Sequence, residues 1–149
     1  AVDPWFIVHA APEKARLIRT AREVNDSKPH WVIDKVNAAI LETLMANPGK
    51  SISDLTIACY GLAFKPDIDD LRESPALAIA IQLAGMPFKS VFAVEPNVTK
   101  LPPKASGLHL VPMHEAGAAD IHILLVDHSP FKVAPKPAGQ IVDAKGIWT

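Results

Sequence analysis

Residues 55–76 read LTIACYGLAFKPDIDDLRESPA, which is an apolar run, a charged loop and a helix start in direct succession. The run at 55–62 has the β-branched, continuously apolar pattern of a strand buried on both faces of a parallel sheet. Ser74 followed by Pro75 is typical of a capped helix start. The positive end of that helix favours an anion, and Lys65 and Arg72 lie in the same loop. This layout indicates a phosphate site, although an ordinary strand-to-helix connection with a solvated charge cluster remains the alternative.

The rest of the chain from about residue 54 alternates between strand and helix patterns. Strands are predicted at 55–62, 89–94, 121–126 and 140–143, and helices at 75–85 and near 114–119. Helices between buried strands imply a parallel sheet with right-handed crossovers. The stretch 101–112 is rich in Pro, Lys and Gly and is predicted to be loop. The expected fold class is therefore α/β, with a parallel sheet.

Residues 1–48 have a helical pattern instead. Pro12 is predicted to open a first helix, and Ser27 to cap a second one with Pro29 in its first turn. The second helix carries an apolar stripe formed by Val32, Ile33, Val36, Ala39, Ile40 and Leu44. A helix pair has little core of its own, so the stripe must be buried against something else. We expect a partner subunit to cover it in a two-fold dimer.

Composition excludes several classes of partner. The 149 residues are 49% hydrophobic and carry a formal net charge of −1, which leaves no basic excess for binding nucleic acid. No apolar run reaches the roughly 18 residues of a membrane span, and no signal peptide is visible. The six histidines show no paired ligand spacing, so no metal site is expected. A single cysteine is compatible with a reducing compartment, and we expect a soluble, cytoplasmic protein.

The loop after the first strand is a poor match for a dinucleotide site. The GxGxxG pattern needs three glycines, and only Gly61 is present, with Ala63 and Pro66 at the other two positions. Glu95 ends the next strand where a Rossmann acid would meet a ribose, but it lies farther from Gly61 than usual. Cys59 lies within the predicted buried strand, where a thiol is inert.

Two other clusters are weaker candidates for function. Asp127, His128 and Ser129 have the letters of a catalytic triad, but neighbours at a strand end point to opposite sides and cannot relay a proton. We interpret them as a loop near the predicted phosphate site. The arginines at 16, 19 and 22 share one side of the first helix, which is usually a solvated face. A phosphate-binding role for them is the minority alternative.

Four segments together resemble the UDP-glucose/GDP-mannose dehydrogenase family. They are GLAFKPDIDDLRESPA (61–76), VDPWF (2–6), AREVND (21–26) and VDAKGIW (142–148). The resemblance covers essentially the whole chain, while subunits of that family are much longer. It implies a helical segment of the central dimerisation region at 1–48 and a Rossmann-like UDP-binding domain at 49–149. It also implies a homodimer, with NAD held mostly outside this chain.

The resemblance also assigns roles to individual residues. Lys65 matches a substrate-binding lysine of the active-site cleft, and Arg72 matches an arginine associated with the cofactor pyrophosphate. Lys145 stands where many members have an arginine that contacts the UDP-sugar, so the cation is kept and the planar fork is lost. Asp3 matches the aspartate of the GGxCxxxD motif, which puts the nucleophilic cysteine just before residue 1. Asn25 matches an active-site asparagine able to stabilise an oxyanion, with helix capping as its alternative role.

The implied activity is the NAD-dependent oxidation of the C6 alcohol of a nucleotide sugar to an acid. The expected substrate is UDP-N-acetyl-D-mannosamine, oxidised to UDP-N-acetyl-D-mannosaminuronic acid for surface polysaccharide synthesis. This chain by itself is expected to bind the UDP-sugar, to dimerise and to be inactive. Two alternatives stay open. One is a non-catalytic nucleotide-binding or dimerisation module, and the other is a dehydrogenase acting on UDP-glucose or GDP-mannose.

Overall fold

A computed structural model describes residues 3–148 as five helices and five strands, with short 3₁₀ turns at Ile52–Asp54 and Pro103–Ala105. The helices are α1 (Asp3–Ala10), α2 (Arg16–Ala46), α3 (Pro75–Ala84), α4 (Met113–Ala116) and α5 (Ser129–Val133). The strands are β1 (Thr56–Tyr60), β2 (Ser90–Val94), β3 (His109–Leu110), β4 (Ile121–Leu124) and β5 (Gln140–Asp143).

The strands form one parallel sheet in the order β3-β2-β1-β4-β5. Strand β1 is central, and its last residue, Tyr60, lies opposite Val94 of β2 and Leu124 of β4. The chain leaves β1 towards one edge of the sheet and returns to β4 to build the other edge. The predicted α/β Rossmann-like fold is confirmed, and the strand order reverses between β1 and β4.

The core has two parts because strand side chains alternate between the faces of the sheet. Ile57 and Cys59 face a large cluster that includes α2 and α3. Ala58 and Tyr60 face a smaller cluster with Phe131. The Tyr60 ring also packs edge-on against the Trp148 indole, with centroids 4.9 Å apart. The segment that follows β5 is thereby packed against the central strand of the sheet.

Helix α2 corrects the prediction for the N-terminal region. It is a single helix of 31 residues that begins at Arg16, not at Pro12, and runs without a break through Pro29. The Ser27 hydroxyl donates to the Val24 carbonyl at 2.7 Å, so Ser27 is not a cap. A proline removes one hydrogen bond from a helix interior. Burial of the apolar stripe that follows Pro29 offsets this loss, because packing supplies most helical stability in proteins.

The apolar stripe of α2 is part of the chain's own core. Val36 is 0% exposed and Ile40 is 5% exposed, and both belong to the cluster on the sheet. The expectation that a partner subunit covers this stripe is therefore wrong. The opposite side of α2 is the one that exposes large apolar side chains, namely Leu17, Val24, Trp31, Leu41 and Met45.

Other element boundaries differ from the prediction by a few residues. Strand β1 ends at Tyr60, because Gly61 adopts a φ of 78° and turns the chain. The stretch 101–112, predicted as loop, contains a 3₁₀ turn and the two-residue strand β3. Helix α5 was not predicted. Among residues 3–148, no helix combines the length and the apolar character needed to cross a membrane.

Candidate functional site

A cleft of about 580 Å³ lies at the carboxyl ends of β1, β4 and β5. In open α/β sheets, ligands bind outside the carboxyl ends of the strands, at the point where the strand order reverses. Helix α2 and the start of α3 form its other walls. The residues lining it are Trp5, Arg22, Asn25, Asp26, Lys28, Pro29, Val32, Ala63, Phe64, Glu73, Pro75, Ala76, Ile79, Leu125, Val126, Ala144 and Lys145.

Lys145 enters the cleft from a turn organised by Asp143. The Asp143 carboxylate accepts hydrogen bonds from the backbone N–H groups of Lys145, Gly146 and Trp148, each at 2.7 Å. Trp148 is buried, and its Nε1–H donates to the Phe131 carbonyl at 3.3 Å. The turn that carries Lys145 is thus anchored on both sides. Asp143 was not singled out in the sequence, since an aspartate that organises its own turn looks like any other loop carboxylate.

Within residues 3–148, the ammonium of Lys145 makes one ion pair, which is long. The nearest carboxylate is that of Asp127, with Nζ and Oδ1 4.0 Å apart. Asp127 makes a closer ion pair with Lys132, at 3.1 Å. Although burial acts to raise the pKa of Asp127, the hydrogen bond from Lys132 and the nearby lysine charges hold that pKa below its usual value. Lys145 therefore keeps a positive charge that can be directed at a ligand.

Helix α2 contributes Asn25 and Arg22, which lie one turn apart and so share a face. The Arg22 Nη2 donates to the Asp26 carboxylate at 2.9 Å. Its Nε is buried and has no hydrogen-bond partner within residues 3–148. The solvated-face interpretation of Arg22 is therefore wrong. Its three-residue spacing from Asn25 was the signal that could have revealed it. Asn25 lies inside α2, so its alternative role as a helix cap is wrong too.

The loop between β1 and α3 reaches the cleft at both of its ends. Phe64 lines the cleft near one end and Pro75 at the other. The predicted cap is confirmed, because the Ser74 hydroxyl accepts a hydrogen bond from the Leu77 N–H at 3.3 Å. Midway, Asp67 has a φ of 60°, a strained backbone state for a non-glycine residue. The Ser129 N–H and hydroxyl hold its carboxylate at 2.8 and 2.7 Å.

Lys65 and Arg72 lie on this loop but outside the main cleft. The Arg72 side chain is 88% exposed, lines a second groove and forms a bidentate pair with Asp70, at 2.9 and 2.8 Å. This pairing lowers the pKa of Asp70 to about 2. Lys65 is exposed and makes no ion pair with any of residues 3–148. Asp3 begins α1, and its side chain lies outside the described part of the chain.

Glu95 is a residue whose role the sequence left open. It is 4% exposed and accepts hydrogen bonds from the Leu62 and Ala63 N–H groups at 2.7 and 3.0 Å. His128 Nε2 lies 2.9 Å from the same carboxylate oxygen. Burial acts to raise the pKa of Glu95, but the hydrogen bonds from His128 and the backbone outweigh it and lower that pKa. The N–H groups that would face a pyrophosphate in a dinucleotide site are already taken, so NAD does not fit this turn.

Cys59 takes no part in the cleft. It is fully buried in β1, and burial raises the pKa of its thiol to about 12. The thiolate is the nucleophilic form of cysteine, so a thiol with such a pKa is inert near neutral pH. The interpretation of Cys59 as a structural residue is confirmed.

The chain is similar to known nucleotide-sugar dehydrogenases. Residues 58–149 match the model of the UDP-glucose/GDP-mannose dehydrogenase family, UDP binding domain. The chain is 56% identical over 153 residues to the UDP-N-acetyl-D-mannosamine dehydrogenase of Escherichia coli, a match that takes in 99% of this chain and 36% of that protein. It is 46% identical to the NDP-N-acetyl-D-galactosaminuronic acid dehydrogenase of Ralstonia solanacearum, over 100% of this chain and 34% of that one.

A solved structure agrees with these matches. The UDP-N-acetyl-mannosamine dehydrogenase of S. aureus superposes with a TM-score of 0.69 and 33% sequence identity. The superposition takes in 99% of this chain and 33% of that one. The chain thus spans 36% or less of the length of the relatives described here.

Proposed function

Since the chain belongs to the UDP-glucose/GDP-mannose dehydrogenase family, we propose that it is the UDP-binding part of an NAD-dependent nucleotide-sugar 6-dehydrogenase. The observation that carries the proposal is the cleft at the carboxyl ends of β1, β4 and β5, with the cation of Lys145 on an anchored turn. A diphosphate suits this cleft, because Lys145 brings a local positive charge to it. The formal net charge of −1 leaves no basic excess for binding a nucleic acid.

The proposed substrate is UDP-N-acetyl-D-mannosamine, oxidised at C6 to UDP-N-acetyl-D-mannosaminuronic acid in cytoplasmic polysaccharide synthesis. The support is the 56% identity to a UDP-N-acetyl-D-mannosamine dehydrogenase over almost the whole chain. In this proposal Lys145 and Lys65 bind the UDP-sugar, and Asn25 and Asp3 serve the catalytic centre. Residues 1–48 and 49–149 are proposed as the dimerising and UDP-binding parts.

NAD is proposed to bind elsewhere in the complete enzyme. The turn after β1 does not suit it, because Glu95 already accepts the N–H groups of Leu62 and Ala63. Arg72 is proposed to reach the pyrophosphate of an NAD molecule held by another part of the enzyme. Its side chain is 88% exposed, so it is accessible for that contact.

UDP affinity tests the proposed site. Lys145→Ala and Lys65→Ala are each expected to weaken UDP binding by about tenfold or more, because a charge-assisted hydrogen bond to phosphate contributes roughly 1.5–3 kcal/mol. The measurement is a titration of the chain with UDP, followed by chemical-shift changes around residues 61–75 and by thermal shift. Arg16→Ala is the matched control, since Arg16 is exposed and belongs neither to the cleft nor to the loop between β1 and α3. Absence of UDP binding to the wild type, or tighter binding of NAD than of UDP, contradicts the proposal.

The identity of the sugar needs the complete enzyme. The gene product that contains this chain is expected to form NADH from UDP-N-acetyl-D-mannosamine with a kcat/KM at least about 100-fold above that with UDP-glucose or GDP-mannose, because a polar site rejects a ligand that leaves its buried groups unpaired. A preference for either of the other two sugars points to the corresponding member of the family. No turnover of any nucleotide sugar favours the non-catalytic module.

A homodimer is proposed to form through the exposed face of α2. The residues Leu17, Val24, Trp31, Leu41 and Met45 are spaced along one side of that helix. An exposed apolar face of this kind marks an interaction surface. Trp31→Glu is expected to convert dimer to monomer in light scattering at unchanged helix content. Val133→Glu is the control, because Val133 is an exposed apolar residue on α5, outside the face of α2. A wild-type monomer contradicts the dimer.

A further inference from the structure

A buried polar cluster joins the loop after β1 to the ends of β2 and β4. Its members are the carboxylate of Glu95 and the imidazole of His128, which is 0% exposed. Glu95 accepts from the Leu62 and Ala63 N–H groups, and its second oxygen accepts from the Asn97 N–H at 3.1 Å. The cluster thus links three segments that are far apart in sequence. The cluster belongs to neither of the two grooves described above.

The hydrogen bonds assign the proton on His128. The Asp67 backbone N–H, 2.9 Å from Nδ1, can only donate, so Nδ1 is an acceptor. The Asn97 side chain lies 3.0 Å from the same nitrogen and is assigned as a second donor through its amide NH₂. Nε2 must then carry the proton and donate it to the Glu95 carboxylate at 2.9 Å. The imidazole is neutral and the carboxylate is ionised, and every polar atom of the pair has one defined role.

Glu95 performs a task that usually belongs to a ligand. In dinucleotide-binding sheets, consecutive N–H groups after the first strand point at a phosphate, because free amide groups there form an anion site. Here the two N–H groups point at a carboxylate of the same chain. The anion site is therefore filled whether or not a nucleotide is bound. His128 extends the arrangement, since it connects that carboxylate to the backbone of Asp67 in the middle of the loop.

We propose that Glu95 and His128 are positioning residues, which supply from within the chain the anion that shapes loop 61–74 and so hold this loop for the UDP-sugar. The inference rests on the proposed function. The pair does not touch the ligand and acts through the backbone at Leu62, Ala63 and Asp67. These contacts hold both flanks of Lys65, and the His128 acceptor holds the backbone of Asp67 at its positive φ together with the Ser129 hydrogen bonds to its carboxylate.

Three variants separate the contacts of the pair. Glu95→Gln keeps the shape of the side chain but removes its charge and one of its acceptors. His128→Asn retains an oxygen near the Nδ1 position and loses the donor to Glu95. His128→Gln retains an N–H near the Nε2 position and loses the acceptor for Asp67. The matched controls are Glu115→Gln and His114→Asn, which make the same changes at exposed positions.

The readouts are UDP affinity and backbone amide hydrogen exchange. Both are measured under conditions in which each variant is folded. Each of the three variants is expected to weaken UDP binding by about fivefold or more, the effect of one net hydrogen bond. Amide exchange at Leu62, Ala63 and Asp67 is expected to rise by at least the same factor. The controls are expected to change neither. A long-range ¹H–¹⁵N spectrum of the wild type is expected to show His128 protonated at Nε2 only.

Two results overturn the inference in different ways. If amide exchange rises in the variants while UDP affinity stays within about twofold of wild type, the pair stabilises the fold and does not position the loop. If His128 carries its proton on Nδ1, the assigned hydrogen bonds from Asp67 to His128 and from His128 to Glu95 are wrong. A wild-type chain that binds no UDP refutes the proposed function itself, and this outcome is distinct from a loss confined to the variants.

Discussion

Gly61→Ala is expected to lower the free energy of unfolding by about 2–5 kcal/mol. Gly61 has a φ of +78°, where a non-glycine residue costs roughly 1–2 kcal/mol. A Cβ at this position would also lie 2.4 Å from the carbonyl oxygen of Val126. Backbone next to a central strand cannot move aside cheaply, and such overpacking adds typically 1–3 kcal/mol. Urea unfolding of the wild type and the variant measures the loss.

Gly146→Ala separates the two costs. Gly146 has the same φ of +78°, but a Cβ there would meet no atom within 4 Å. Its expected loss is therefore the conformational part alone, roughly 1–2 kcal/mol. Equal losses at the two positions would mean that the strand ends around Gly61 and Val126 yield easily. Such a result would contradict rigid packing between Gly61 and Val126.

Val36→Glu is expected to cost about 3–5 kcal/mol or to prevent folding. The substitution puts a carboxylate where α2 packs on the sheet, at a side chain that is 0% exposed. A buried charge without a partner carries a penalty of this size. Thermal and urea unfolding of the chain measure the loss of stability. They are carried out at neutral pH, because the introduced carboxylate is ionised there in the unfolded chain.

Leu41→Glu is the matched control for this substitution. Leu41 is on the same helix but 63% exposed, on the side away from the sheet. At a protein concentration low enough for the chain to be monomeric, so that the proposed dimer face is free, surface substitutions of this kind usually change stability by no more than about 0.5 kcal/mol. If the two variants are equally stable, α2 does not pack on its own sheet as described.

The N-terminal region shows why the local sequence pattern led to a wrong helix boundary. Pro29 and the polar residues 25–27 satisfy every local rule for a helix boundary, and a boundary was predicted there. The structure has one helix because the side chains beyond Pro29 are buried on the sheet. Burial of Val32 and Val36 is a long-range interaction, and it outweighs the loss of a single helical hydrogen bond. Local patterns cannot report which surface lies beside a helix.

The candidate site was predicted in part. The cap at Ser74 is local in sequence, and it was predicted. Arg22 was missed as a lining residue of the cleft, because its position depends on how α2 crosses the sheet. Asp143 was missed as the organiser of the Lys145 turn. The roles of Lys65, Arg72, Lys145, Asn25 and Asp3 in binding and catalysis remain predictions.

The sequence by itself determined the parallel α/β sheet, the buried state of Cys59 and the helix start at Ser74. Each follows from residues that are neighbours along the chain, such as the apolar run at 55–62 and the pair Ser74 and Pro75. Only the tertiary structure decided what Glu95 and His128 do. They lie 33 residues apart and meet because β2 and β4 flank β1 with their carboxyl ends at one edge. A buried carboxylate needs donors from wherever the fold brings them, and that geometry is set by packing of the whole sheet.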